Sequence, residues 1–331
     1  MNGRLLLVAN PGAEHVGAHL LNAARSMGLE VRLHDVMEAF RGPRVLRTIN
    51  WRLRGRLPLR LDAFSATVVE SCRDFRPAWM VCTGTAPLNV QALEEIRRMG
   101  VAQLNFLTDD PWNRAHRAPW FLRGLPLYDA VFSPRRANLE ELRAHGCKRV
   151  EYMPFAYSPE AHFPEAPPTP LQDHDVVFIG GGDRDRQPPV LALIEAGIRV
   201  ALYGGYWDRD ARTRPFARGF VGPQELRWVT GGSKVVLGLV RRANRDGHSM
   251  RSFEAPAMRA CLLTEDTPEH REIFGAEGEC VLYFRDHPQM IEKAHQLLGD
   301  ASLRERLATA AHARITGGGN AYRDRLETMI R

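Results

Sequence analysis

The chain has 331 residues, 44% hydrophobic and 25% charged, an ordinary globular composition that argues against disorder. That length exceeds one ordinary core and fits two domains of about 150 residues each. The formal charge is +6, and apolar runs such as 235–240 fall far short of the ~20 residues that a membrane span needs.

Only Lys148, Lys234 and Lys293 are lysines, so nearly all the basic charge is arginine. Arginine suits an anionic substrate or an acidic membrane surface, and it equally suits solvated faces. Cys72, Cys82, Cys147, Cys261 and Cys280 are odd in number, lie mostly in apolar stretches and form no Cys-x-x-Cys pair. They read as reduced, buried thiols, with neither a zinc site nor a disulfide framework. The chain enters a strand-like run at once, which leaves no room for a signal peptide and predicts a cytoplasmic, soluble protein.

In chain order, Arg4–Ala9 reads as a buried strand, Val16–Met27 as an amphipathic helix stopped by Gly28, and Glu30–Asp35 as a strand. The stretch Phe40–Arg60, rich in arginine with Trp51 and two glycines, reads as an acceptor, membrane or partner surface, or as an ordinary basic loop-helix. Helix Ala63–Phe75 precedes strand Trp79–Thr83, and helix Val90–Met99 precedes strand Ala102–Leu107. Strand Ala130–Ser133, helix Arg136–His145 and strand Arg149–Met153 complete a first set. Repeated β-α units with continuously apolar strands imply a doubly wound parallel sheet covered on both faces.

Five prolines among polar residues make Ser158–Asp173 a stiff linker. The alternation then restarts with strands Asp175–Ile179, Arg199–Tyr203, Val235–Leu239, Cys261–Thr264 and Cys280–Phe284. The intervening helices are Pro189–Ala196, Pro223–Thr230, Arg251–Met258 and Pro268–Phe274; Pro288–Leu298, Ser302–Ile315 and Ala321–Ile330 follow. The predicted domains are 1–157 and 174–315, with 316–331 a terminal helix packing back on the first. Two such α/β domains bind ligands at the carboxyl ends of their strands, across a cleft.

No P-loop, Gly-x-Ser-x-Gly elbow or His-Glu-x-x-His helix occurs. Gly180-Gly181-Gly182-Asp183 opens like a dinucleotide fingerprint but has Asp where the third glycine belongs, so a Rossmann dehydrogenase is poorly supported. Three glycines after a buried strand let amides approach a ligand, and Arg184 and Arg186 follow, a combination suited to phosphate or to a tight turn with solvated arginines. Asp246 follows strand Val235–Leu239, Gly247, His248 and Ser249 read as a turn, and a helix begins near Met250. Amides at that start favour a diphosphate, while Glu254 and Asp246 suit sugar hydroxyls, or serve as a first-turn acid and a turn former. Asp109 and Asp110 are adjacent carboxylates at a strand's carboxyl end. One of them would hold a raised pKa and take an acceptor proton, or Asp110-Pro111 would cap a helix. His15 in the first β-α loop faces the cleft or caps the next helix, and His248 positions sugar or phosphate.

Phe253-Glu254-Ala255-Pro256-Ala257 followed by Leu262-Leu263-Thr264-Glu265-Asp266-Thr267-Pro268-Glu269 resembles the CgeB-like (spore maturation protein-type) glycosyltransferases, a branch of the GT-B fold. The resemblance includes Asn105-Phe106-Leu107-Thr108-Asp109-Asp110-Pro111-Trp112, Asp129-Ala130-Val131-Phe132-Ser133 and Arg136-Ala137-Asn138-Leu139-Glu140-Glu141-Leu142. Pro154-Phe155-Ala156, Asp175-Val176-Val177-Phe178-Ile179-Gly180 and Tyr203-Gly204 extend it, in order, over roughly residues 100–300. It implies transfer of a sugar from a UDP-, GDP- or dTDP-sugar donor, with no required metal, no separate cofactor and no nucleic-acid partner. Domain 1–157 would be the acceptor side, and domain 174–315 would bind the nucleotide sugar. Related retaining enzymes carry a Glu-x7-Glu motif; Glu254 falls on its second Glu, which holds the ribose, and Asp246 departs from the first, which contacts the sugar. Arg186 falls near a diphosphate-binding basic position, and Gly181 replaces a preceding arginine for which Arg184 would substitute. The competing readings are a nucleotide-sugar epimerase of the same fold and a non-catalytic or coat-associated nucleotide-sugar-binding protein.

Overall fold

The computed structural model describes residues 3–169 and 174–331. The chain divides into two compact units, residues 1–154 with 322–331, and residues 155–321. In the first, strands β1 (Arg4–Ala9), β2 (Glu30–Asp35), β3 (Trp79–Thr83), β4 (Ala102–Phe106), β5 (Ala130–Ser133) and β6 (Arg149–Tyr152) form one sheet. Every pairing is parallel, and the order is β2-β1-β3-β4-β5-β6. Helices α1 (Val16–Ser26), α2 (Arg44–Leu53), α3 (Leu61–Phe75), α4 (Val90–Arg98), α5 (Pro119–Gly124) and α6 (Leu139–Ala144) connect them. Leu6, Val8, Met80 and Cys82 are fully buried in the sheet, consistent with apolar strands covered on both faces.

The second unit repeats the plan. Its strands β7 (Val176–Ile179), β8 (Val200–Tyr203), β9 (Ala217–Gly219), β10 (Val235–Gly238), β11 (Leu262–Glu265) and β12 (Leu282–Phe284) run parallel in the order β12-β11-β10-β7-β8-β9. Helices α7 (Gln187–Glu195), α8 (Pro223–Gly232), α9 (Arg251–Ala257), α10 (Pro268–Phe274), α11 (His287–Gly299) and α12 (Ala301–Thr316) complete it. The α/β class, with two parallel doubly wound sheets, is the fold that the alternation of elements predicts.

Elements differ from the sequence reading in several places. Part of the proline-rich stretch, Pro170–Asp173, lies outside the described residues, and the portion before it belongs to the second unit. Arg227 holds it there, pairing with Glu165 and donating to the Ala161 carbonyl at 3.3 Å, so the prolines stiffen a docked segment. The region predicted as one helix, Arg136–His145, opens with a tight 3-10 turn at Arg136–Asn138 and becomes α-helical only at Leu139. Short α5 and the three-residue edge strand β9 escaped the periodicity altogether, because neither is long enough to show a repeat.

The last helix, α13 (Tyr322–Ile330), belongs to the first unit, where Tyr322 stacks on His19 of α1 with ring centroids 5.1 Å apart. It buries Tyr322, Leu326 and Met329. All five cysteines are unbridged and buried, and burial pushes Cys72, Cys82 and Cys261 up to about 12, which keeps them protonated and unreactive. Leu326→Ala is expected to cost about 2–5 kcal/mol in urea unfolding, the usual loss for a fully buried leucine. An unchanged midpoint would show that α13 adds nothing to the core of the first unit.

Candidate functional site

In the second unit, β7 leads to β8 and β9 on one side while the chain returns to β10, β11 and β12 on the other. The strand order therefore reverses between β7 and β10, the place where open α/β sheets leave room for ligands. Two loops meet there, Gly180–Gly182 after β7 and the Asp246–Met250 segment after β10.

The glycine turn is built by backbone contacts. Gly180 donates its amide to the Tyr203 carbonyl at 2.8 Å, and Gly182 donates to the Gly205 carbonyl at 2.9 Å. The Trp207 indole donates to the Gly180 carbonyl at 2.8 Å, and its ring lies under Gly182. Gly204 has φ +118°, and a Cβ there would lie 2.4 Å from the Gly180 oxygen, so only glycine fits this crossing. Of the amides expected to approach a ligand, those of Gly180 and Gly182 are spent within the sheet edge, as the alternative of a tight turn has it.

The arginines after this turn divide sharply. Arg184 is exposed and has no ion-pair partner among the described residues. Arg186 is buried, donates to the carbonyls of Leu239 (3.3 Å) and Gly181 (3.5 Å), and lies over the Phe178 ring. Burial and then the charge of Arg241 lower its pKa, while Asp183, Asp246 and Asp185 oppose that shift. Arg186 therefore acts as a tie between the ends of β7 and β10. Its Nε is buried with no hydrogen-bond partner among the described residues.

After β10, Asp246 is half-buried with its amide on the Arg241 carbonyl at 3.2 Å. Gly247 packs so closely against the Glu269 carboxylate that a Cβ would sit 2.1 Å from it. His248 is buried between the Phe155 and Phe253 rings, each 5.7 Å away. Its Nε2 accepts the Phe155 amide at 3.2 Å, which puts the hydrogen of the neutral ring on Nδ1. His248 is therefore a core-positioning residue in this arrangement. The Ser249 amide donates to Ser252 Oγ at 3.1 Å, and that hydroxyl meets His270 Nε2 at 2.8 Å. Of the predicted amides at the helix start, Ser249's is consequently occupied, and those of Met250 and Arg251 remain.

Glu254 lies one turn into α9 and is buried. Arg251, three residues earlier, ion-pairs with it and also donates Nε to the Ile179 carbonyl at 3.3 Å. His162 Nε2 stands 3.7 Å from the other carboxylate oxygen, while His162 Nδ1 accepts the Ser158 amide at 3.0 Å. Arg251 was not singled out from sequence; its signal is the spacing of three residues before an acid on a short helix. Beside these loops, a cavity of about 520 Å³ is lined by Asp185, Leu239, Arg242, Glu265, Phe284 and His287, a volume suited to a small ligand.

In the first unit, Asp110 is buried; its Oδ1 accepts the Trp112 amide at 2.9 Å and the Asn138 side chain at 3.1 Å. Its carbonyl accepts the Asn113 amide at 3.0 Å. This is an aspartate-closed turn, which corrects the helix cap. Asp109 is half-buried beside it. His15 holds the backbone N-cap position of α1, but its ring pairs with Glu14 at 3.6 Å and does not cap the helix.

Two buried histidines tie stability to pH. Burial, then Arg251 and Arg227, push His162 down to about 3 against Glu160, and burial pushes His270 down to about 4 against the Glu265 carbonyl and Asp266. In the unfolded chain both protonate near 6.5, so stability is complete above that pH and falls as pH drops toward 4 and 3. Urea unfolding between pH 7 and 4 should show this slope, reduced by up to ~1.4 kcal/mol per pH unit in His162→Gln. An unaltered slope in that variant would remove His162 as a cause.

Comparison with known proteins supplies the context. Residues 186–331 match the family model described as glycosyl transferase-like. The fold matches sucrose-phosphate synthase from Thermosynechococcus elongatus (TM-score 0.69, 13% identity, covering 98% of this chain and 97% of that one). It also matches HepE of Anabaena in complex with UDP-glucose (TM-score 0.64, 13% identity, 99% and 97% covered). A third match is the trehalose 6-phosphate synthase of Burkholderia multivorans (TM-score 0.61, 14% identity, 99% and 96% covered). The chain thus has the two-sheet GT-B fold of these proteins. None of the curated proteins matches it in sequence.

Proposed function

We propose that this protein transfers a sugar from a nucleoside-diphosphate sugar to an acceptor, and that its second unit binds the donor at the β7–β10 edge. The observation that carries this reading is the bridge from Ile179 through Arg251 to Glu254, which brings the end of β7 and the start of α9 to one edge. The glycosyl transferase-like match over 186–331 spans α9 and all the strands after it, and the neighbour HepE was solved with UDP-glucose.

The chemistry follows from charge. A departing diphosphate needs cations and amide donors fixed in place before the bond breaks. Arg184 is exposed there, Arg251 is partly exposed, and the amides of Gly181, Met250 and Arg251 lie on the same two loops. Arg251 now neutralises Glu254; a diphosphate competes for that guanidinium and leaves the Glu254 carboxylate to accept from ribose hydroxyls. Asp246 takes the sugar side, as its position against the first motif acid suggests, and the cavity beside β10 gives volume for the nucleoside. Retention of configuration, independence from metal and a cytoplasmic setting belong to the same reading, and in it one of the adjacent carboxylates Asp109 and Asp110 receives the acceptor proton.

Arg251→Ala is expected to weaken UDP binding by roughly 1.5–3 kcal/mol, the range for a lost charge-assisted hydrogen bond, while uridine binding stays unchanged. Calorimetry with both ligands checks this, and wild-type UDP affinity in the variant would sink the assigned pocket. Incubation with UDP-, GDP- and dTDP-sugars separates the activities. Release of the nucleoside diphosphate marks a transferase, isomerisation without release marks an epimerase, and binding alone marks a module without turnover.

A further inference from the structure

Helix α2 wears its amphipathic pattern inside out. Among its ten residues the only buried side chain is Asn50, whose Nδ2 donates to the Leu57 carbonyl at 3.1 Å. The Asn50 carbonyl in turn accepts the amides of Arg54 and Arg56, each at 3.1 Å. Arg56 completes the fastening, donating to the carbonyls of Arg114, Ala115 and Arg117 at 2.6–3.0 Å. The apolar arc made by Val45, Leu46, Ile49 and Leu53 therefore faces away from the first unit's core. Val45 is 69% exposed, Leu53 80%, and Trp51 on the same helix 50%. A helix normally buries such an arc, so this one is shaped to meet something else.

Charge says what that is. Residues 41–60 hold seven arginines and no acid, against +6 for the entire chain, so the remainder is slightly acidic. A uniform preference for arginine would have spread this excess. Arg44, Arg47, Arg52 and Arg54 have no carboxylate partner among the described residues; Arg41 pairs with Glu38 and Arg56 is tied to backbone. An aliphatic arc with an adjoining tryptophan and flanking unpaired guanidiniums is the composition of a helix lying in a bilayer interface. A nucleic acid or a soluble polyanion would use the arginines but leave four aliphatic side chains in water. A second copy would set two strongly positive faces against each other. No helix among the described residues is long and apolar enough to cross a membrane, so contact is by lying on the surface.

We infer that α2 docks the protein on anionic lipid, with Val45, Leu46, Ile49 and Leu53 entering the acyl boundary and the four arginines on lipid phosphates. The inference stands independently of the proposed sugar transfer. Flotation of the full chain with vesicles tests it, using phosphatidylcholine alone and with about one third phosphatidylglycerol. Binding is expected only with the anionic lipid, falling as salt rises to about 0.5 M. Substituting Arg44, Arg47, Arg52 and Arg54 by glutamine should lower partition roughly five-fold per residue. Leu46→Ser with Ile49→Ser and Leu53→Ser should abolish it at low salt. Both variants should keep the wild-type melting temperature, since these side chains are exposed. Absence of wild-type flotation at low salt would overturn the inference, as would flotation indifferent to both variants. Retention on heparin or duplex DNA without vesicle binding would assign the patch to soluble polyanions and overturn it too. A dimer lost in the serine variant, again without vesicle binding, would assign the arc to self-association.

Discussion

A buried carboxylate on a short helix sets the terms for the second unit. A buried carboxylate without a counter-charge costs several kcal/mol, and Glu254 is buried. Arg251 supplies that charge from the preceding turn of α9, and its Nε donates to the Ile179 carbonyl at the end of β7. One guanidinium thus neutralises an acid and joins the two loops flanking the strand-order reversal. Its replacement by lysine would keep the charge but lose the fork that makes both contacts at once. Glu254 also fixes the neighbourhood of His162, whose ring must present a hydrogen on Nε2 to the carboxylate because Nδ1 already accepts the Ser158 amide.

The same edge shows how a crowded set of arginines sorts itself. Arg186 is buried; its Nη groups reach the Gly181 and Leu239 carbonyls and Nη1 also pairs with Asp183, so it fastens β7 to the residue after β10, while its Nε has no hydrogen-bond partner among the described residues. Three aspartates around it, Asp183, Asp185 and Asp246, offset the cost of keeping it charged there. Asp183 is shared with Arg241 at 2.7 Å, and Asp185 accepts the Arg242 amide at 2.8 Å. Acids close to a phosphate site normally repel the ligand. Here their charge is absorbed by arginines of the frame, which leaves Arg184 without an ion-pair partner among the described residues, whereas Arg251 is already paired with Glu254. Positive charge near a ligand is measured by what remains unpaired, and counting arginines in a segment overstates it.

The parallel sheets were legible because strands such as Leu5–Ala9 and Val235–Gly238 are apolar without interruption, a pattern required when both faces are covered. Gly28 and Gly146 marked turns after helices for the same local reason, a need for positive φ. What could not be read was the destination of individual donors. Gly180-Gly181-Gly182 correctly announced a close approach of backbone, but the approaching groups are Gly204, Gly205 and the Trp207 ring. Asp110-Pro111 reads as a helix cap, yet the carboxylate closes a turn, and Asn138, distant in sequence, claims part of it. Long-range partners decide whether a polar group is spent or available, and a linear pattern contains no distance between them. Arg251 escaped notice for the converse reason: its partner Glu254 is local, but the burial that gives the pair its weight is a property of the fold.

Helix α2 extends that argument to the surface. By pattern alone it is an amphipathic basic segment, and the ordinary inference turns its apolar arc toward the core. The fold instead anchors it by one asparagine and by the backbone grip of Arg56, two polar devices that need no apolar contact. Freed of a packing role, Leu46, Ile49 and Leu53 form an exposed arc that an apolar phase would relieve. The arginines beside them restrict that phase to one with a negative border. Composition over the whole chain hides this, because a slightly acidic body and a strongly basic twenty-residue segment sum to a modest +6. The location of the charge carries the physical meaning here, since a field confined to one segment orients the molecule against a charged plane, whereas the same charge spread evenly would only hold it in solution.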